Sequence, residues 1–128
     1  MRKTLLLIFL SVGAFACKKS EPVSPGLFGK WEIRSRYGSI SGFDSTYKAG
    51  NGTILQFNSD STYNYYTKRK LSSNGIFHIK TLPGINAALN IYFDNAEYGQ
   101  PFSYNGTKMT IGADFDDGVA AEYEKIAN

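Results

Sequence analysis

Lys30-Trp31-Glu32-Ile33-Arg34-Ser35-Arg36-Tyr37 is the stretch on which the fold turns. Trp31, Ile33, Ser35 and Tyr37 take alternate positions, and Lys30, Glu32, Arg34 and Arg36 fill the places between them. A period of two sends successive side chains to opposite faces of a strand. The pattern predicts a strand with one covered face, which carries the chain's single tryptophan, and one wet face. On this reading the four charges form a solvated exterior and not a site.

Downstream of this strand the chain is rich in Tyr, Phe, Ile, Thr, Gly and Asn, a composition of strands and turns. Residues 38–52 hold four glycines and no apolar rhythm, and read as a long loop, at the length where loops are often functional. Thr53–Asn58 is the next strand, with Leu55 and Phe57 inward, and Asn58-Ser59-Asp60-Ser61 turns the chain. Thr62–Lys68 returns with Tyr63 and Tyr65 on one face. Leu71–Gly75 reads as another turn, and Ile76–Lys80 as a strand with Phe77 and Ile79 inward and His78 outward. Ala88–Phe93 places Leu89, Ile91 and Phe93 inward. Gln100–Tyr104 is a weaker strand, with Pro101 suited to an end or an edge. Asn105-Gly106 reads as a two-residue hairpin with both residues at positive φ. Thr107–Ala113 and Val119–Ile126 complete the series. Helical periodicity is weak everywhere, with room only for a short turn of helix near Asn86 or Asn95.

About eight antiparallel strands joined mostly by short turns predict an all-β, up-and-down meander closed into a small barrel, which leaves no exposed edge. A β-sandwich is the alternative, because a strand count does not separate the two. An eight-stranded barrel is just wide enough to be filled by side chains or to hold one small ligand.

The chain has 128 residues, enough for one domain. Its first 16 read as a removable leader: a basic start at Arg2 and Lys3, then a largely apolar run from Leu5 to Ala16, too short to span a bilayer as a helix. Of 14 basic side chains, loss of Arg2 and Lys3 leaves 12 against 11 acidic ones. Such a near-neutral chain, with Lys68-Arg69-Lys70 as its one basic run, offers no footprint for nucleic acid. Cys17 is the single cysteine, so no internal disulfide forms.

Ala14-Phe15-Ala16-Cys17 resembles the lipobox of bacterial lipoproteins. The resemblance implies cleavage after Ala16, a diacylglyceryl thioether on Cys17, and acylation of the new amine. Three acyl chains would hold the protein on its membrane, where a single chain binds only reversibly. Residues 17–26 then form a lipidated tether, too rich in Pro, Gly and polar residues to pack. No Asp follows Cys17, which in this family points to the outer membrane.

Gly29-Lys30-Trp31 resembles the Gly-x-Trp that opens the first barrel strand of lipocalins and their relatives. Leu55–Tyr63 and Gly75–Ile79 look like the small lipocalin-like domains of bacterial envelope lipoproteins. The resemblance implies a lipocalin-like barrel over residues 27–128, closed at one end by Trp31, with the long loop near its mouth. Lipocalins stack an Arg from a late strand on that tryptophan; this chain offers Lys125 there.

Catalysis has little to rest on. His78 is the only histidine and faces outward on the alternation, no Gly-x-Ser-x-Gly occurs, and no second group stands by to orient a base. The expectation is a protein that is not an enzyme and uses no cofactor. Asp114-Phe115-Asp116-Asp117-Gly118 departs from a calcium loop, because the glycine comes early and Lys125 stands where the last ligand belongs. No metal site is expected. Two Asn-Gly-Thr triplets begin at Asn51 and Asn105, and two Asp-Ser-Thr triplets, at Asp44 and Asp60, resemble an O-glycosylation pattern of some Gram-negative envelopes.

Tyr63, Tyr65, Phe77 and Phe93 are the candidate pocket residues, since inward aromatics can stack on a flat ligand. A plain core is the competing reading. Buried Tyr needs partners for its hydroxyl, which leaves room for a wet, tyrosine-lined cavity. Two functions follow. One is a membrane-anchored barrel that binds a small apolar or aromatic molecule. The other is a filled barrel that docks an envelope protein or inhibits an enzyme. An interior cavity of about 300 Å³ or more would favour the first.

Overall fold

A computed structural model describes residues 26–38, 42, 44–84, 88–113 and 118–128. The leader, Cys17 and the tether as far as Pro25 lie outside the described residues, as do Asn86 and Asp114–Asp117. The strands are β1 (Gly29–Gly38), β2 (Asp44–Thr46), β3 (Ile54–Phe57), β4 (Thr62–Thr67), β5 (Lys70–Thr81), β6 (Leu89–Phe93), β7 (Gln100–Asn105), β8 (Lys108–Gly112) and β9 (Val119–Ala127). No helix occurs among the described residues, and Asn95 lies in a turn.

Each strand from β3 to β9 pairs antiparallel with its neighbour in sequence, β1 pairs with β3, and β9 closes the ring by pairing with β1. One continuous, closed sheet excludes the sandwich. The short strand β2 is additional: it pairs with Ser35–Tyr37 of β1, where β3 no longer reaches.

The alternation predicted for β3, β4 and β6 holds, and it builds the core. Leu55, Phe57, Tyr63, Phe77, Ile91, Phe102, Met109, Ile111 and Tyr123 are buried inside the ring with Trp31 and Ile33. The aromatic rings meet mostly edge to face: Phe57–Phe77 at 4.7 Å and Tyr63–Phe93 at 4.9 Å between centroids. Such pairs add about 0.5–1.5 kcal/mol each beyond their buried area.

Four expectations need correction. Leu71–Gly75 is not a turn but the first half of β5, paired with β4 from Thr67↔Lys70 to Thr62↔Ile76. Its Ser and Asn content reflects solvent exposure rather than a reversal. The reversal falls one step earlier, at Lys68 and Arg69 (φ 49° and 64°). At the β7–β8 corner Asn105 is still a strand residue, paired with Lys108, and Gly106 alone takes positive φ (51°). Glycine at the first central position is what a II′ hairpin requires.

The third correction concerns the long loop. Its described part is β2 followed by a turn docked on the barrel wall. The Glu32 carboxylate accepts hydrogen bonds from the Gly50 and Gly52 N–H groups (2.7 and 3.0 Å) and from Arg34 (2.7 Å). Glu32 does point away from the core, as the alternation demands, but this turn covers it and leaves it 3% exposed. Burial alone would push its carboxyl up; the donors from Gly50, Arg34 and Gly52 outweigh that and hold it below its ordinary value. On the far side of the same turn, Arg69 donates from its N–H to the Gly52 carbonyl and from Nη2 to the Gly50 carbonyl, each at 3.0 Å. These bonds offset the roughly 1–2 kcal/mol that each left-handed L residue costs at the Lys68–Arg69 corner. Gly52 (φ 79°) has no room for a Cβ against the Arg69 backbone.

The fourth correction decides the site. The β1–β9 register runs Ile33↔Tyr123 and then Ser35↔Glu122, so Arg34 is the extra residue of a β-bulge. Beyond it the faces exchange. Ser35, expected inward, donates from Oγ to Glu122 on the outer wall (2.7 Å), and Tyr37 follows it outward. Arg36, expected in water, comes round to the inner face opposite Ala121.

Candidate functional site

The barrel has one shut end and one open end, and β1 runs from the first to the second. At the shut end Trp31 is fully buried and donates from Nε1 to the Leu27 carbonyl at 2.7 Å. Lys125 Nζ lies 5.4 Å from the indole centroid, a cation–π contact, and donates to the Gly26 carbonyl at 2.6 Å. The lysine thus stands where the resemblance would place an arginine. Burial lowers its ammonium below the ordinary value. Gly29 (φ 124°) opens the strand where a Cβ would strike the Ala127 carbonyl oxygen, so the glycine is required by close backbone approach.

At the other end the side chains stop short of filling the ring. A cavity of about 440 Å³ is lined by Ile33, Arg36, Leu55, Tyr63, Tyr65, Ser73, Phe93, Gln100, Ile111, Val119, Ala121 and Tyr123. Its rim reaches solvent, since Arg36, Ser73, Gln100 and Val119 are exposed, while Ile33, Leu55, Tyr63, Ile111 and Tyr123 form a buried floor. Each floor residue comes from a strand whose alternation turns it inward.

Of the four aromatics predicted to share a pocket, Tyr63, Tyr65 and Phe93 line this cavity. Phe77 lies behind it, packed on Phe57. Tyr63 donates to Asp94 Oδ2 at 2.9 Å; burial, and then this bond to a carboxylate, raise its phenol above the ordinary value. The other oxygen of Asp94 accepts the Ile76 N–H. Tyr123 is buried, and that desolvation, with the phenols of Tyr65 and Tyr47 nearby, pushes it up to about 12; Arg36 pulls the other way. It is therefore a neutral hydrogen-bond donor at physiological pH.

Sequence reasoning missed Arg36, Tyr123, Ser73 and Gln100 at this site. Tyr123 was within reach of the method: it sits between Ala121 and Lys125 on an alternating strand. Arg36 was not, because nothing in residues 30–37 marks where the bulge falls.

A larger concavity, about 520 Å³, lies outside the barrel along β7, β8, β9 and the middle of β1 at Arg34. It is sheet surface of mixed charge, and its Arg34 is already paired with Glu124 at 3.2 Å. His78 is on the outer wall, stacked on Tyr92 at 4.8 Å and remote from the inner cavity. Among the described residues no three His, Cys, Asp or Glu side chains gather as a metal site would need.

No protein-family model matches the chain, no curated protein is similar to it, and no solved structure matches the barrel.

Proposed function

We propose that this chain is a lipid-anchored envelope lipoprotein whose barrel carries a small apolar or aromatic molecule in its mouth. The observation that carries the reading is the cavity of about 440 Å³ inside the ring, roofless at one end and floored by apolar and aromatic side chains. Ligand pockets commonly measure about 300–1,000 Å³ and combine apolar walls with a few polar groups. The shut end supports it too: a plugged base and an open mouth make a cup. The anchor rests on the resemblance at residues 14–17 and on the tether that follows.

Native mass spectrometry of the full chain after exposure to envelope extract tests the cup. A retained small molecule is expected, and Ala121→Phe, which adds a ring on the cavity wall, should abolish it. Retention of nothing, or equal retention by the filled variant, would count against ligand carriage. The anchor is tested separately by Cys17→Ser, which should release the protein from membranes.

A further inference from the structure

We propose that the molecule held in the mouth is a small organic carboxylate, its apolar body on the cavity floor and its charge against Arg36. This rests on the reading of the cavity as a ligand site and adds the class of ligand. The bulge at Arg34 is what brings a guanidinium to the inner wall, beside Ala121 and close to Tyr123. Among the described residues the Arg36 side chain makes no ion pair and no hydrogen bond, and the Tyr65 and Tyr123 hydroxyls likewise neither donate nor accept.

Among the described residues, the carboxylates nearest the mouth are engaged elsewhere or face outward. Asp94 is held by Tyr63 and the Ile76 N–H, and Glu122 and Glu124 bond to Ser35 and Arg34 on the outer wall. A cation and two phenolic groups thus border a chamber with a largely apolar and aromatic floor that contains no free acid among the described residues. One guanidinium neutralises one charge, and its planar fork matches a carboxylate in a bidentate pair. The aromatic wall of Tyr65 and Phe93 suits a flat or short apolar body.

Calorimetric titration of the full chain with naphthoate and with its methyl ester separates the two readings. The acid should bind at least about tenfold more tightly than the ester, as a charge-assisted hydrogen bond implies. Arg36→Leu should cost the acid about ten- to a hundredfold in affinity and leave the ester unchanged. Arg36→Lys should recover part of that loss, and Tyr123→Phe should cost a few-fold. Equal binding of acid and ester, or an Arg36→Leu variant that weakens both alike, would overturn the carboxylate inference while leaving the cup in place. Failure of both probes to bind would overturn the inference together with the cup.

Discussion

At the shut end of the barrel Trp31 is buried between the Leu27 carbonyl and the Lys125 ammonium; at the mouth Arg36, further along the same strand, borders a cavity. Both ends place a cation near aromatic rings. At the shut end Lys125 is 7% exposed and its ammonium is hydrogen-bonded to the chain, so it serves the fold. At the mouth the guanidinium is exposed and makes no bond to the described residues. The lesson is that a charge's role follows from whether the protein satisfies it. Between the ends lies the Arg34 bulge, which lets one strand build a packed plug first and a lined opening afterwards.

The comparison predicts that stability is concentrated at the plug and ligand binding at the mouth. Trp31→Ala should have the largest effect, a loss of roughly 3–5 kcal/mol in urea unfolding, because it empties a fully enclosed site. A smaller loss would mean that the shut end is not the keystone. Gly29→Ala should come next, at about 1–3 kcal/mol, from backbone strain and collision with the Ala127 carbonyl. Glu32→Gln, midway between the ends, should cost about 1–3 kcal/mol at neutral pH by weakening the clamp on Gly50 and Gly52.

The pH dependence of that last variant gives a sharper test. The folded Glu32 carboxyl titrates below its ordinary value near 4.5, so the folded state binds fewer protons than the unfolded chain in that interval. Its contribution is complete above the unfolded value and is lost as pH falls through the folded one. The native protein should therefore lose stability on acidification in a window where Glu32→Gln is flatter, as followed by urea midpoints across acidic pH. Arg36→Leu should have the smallest effect on the fold, within about 0.5 kcal/mol, since the side chain is exposed and holds nothing. A large destabilisation there would show that both ends are structural and dissolve the contrast.

Much of this molecule was legible from alternation. Leu55, Phe57, Tyr63, Phe77 and Ile91 were placed inward by period two alone, and they are buried. Local composition misled at Leu71–Gly75, where polar residues marked exposure and not a reversal. The charge run Lys68-Arg69-Lys70 does mark an exposed hairpin end, whose unfavourable φ values are held by bonds to Gly50 and Gly52. Glu32 was placed on the correct face but in the wrong medium, because its cover comes from a segment distant in sequence.

The amino-acid order by itself determined that the described chain is a meander of antiparallel strands with an indole inside, since alternation and turn residues are local signals written in short spans; closure into a ring and not a sandwich came from the β1–β9 pairing. Tertiary structure alone decided which charges meet water. A bulge exists only against a partner strand, so the inward turn of Arg36 had to wait for the β1–β9 pairing. Likewise the cavity is a volume that folded side chains leave unfilled around one another, and no single span of the chain contains it.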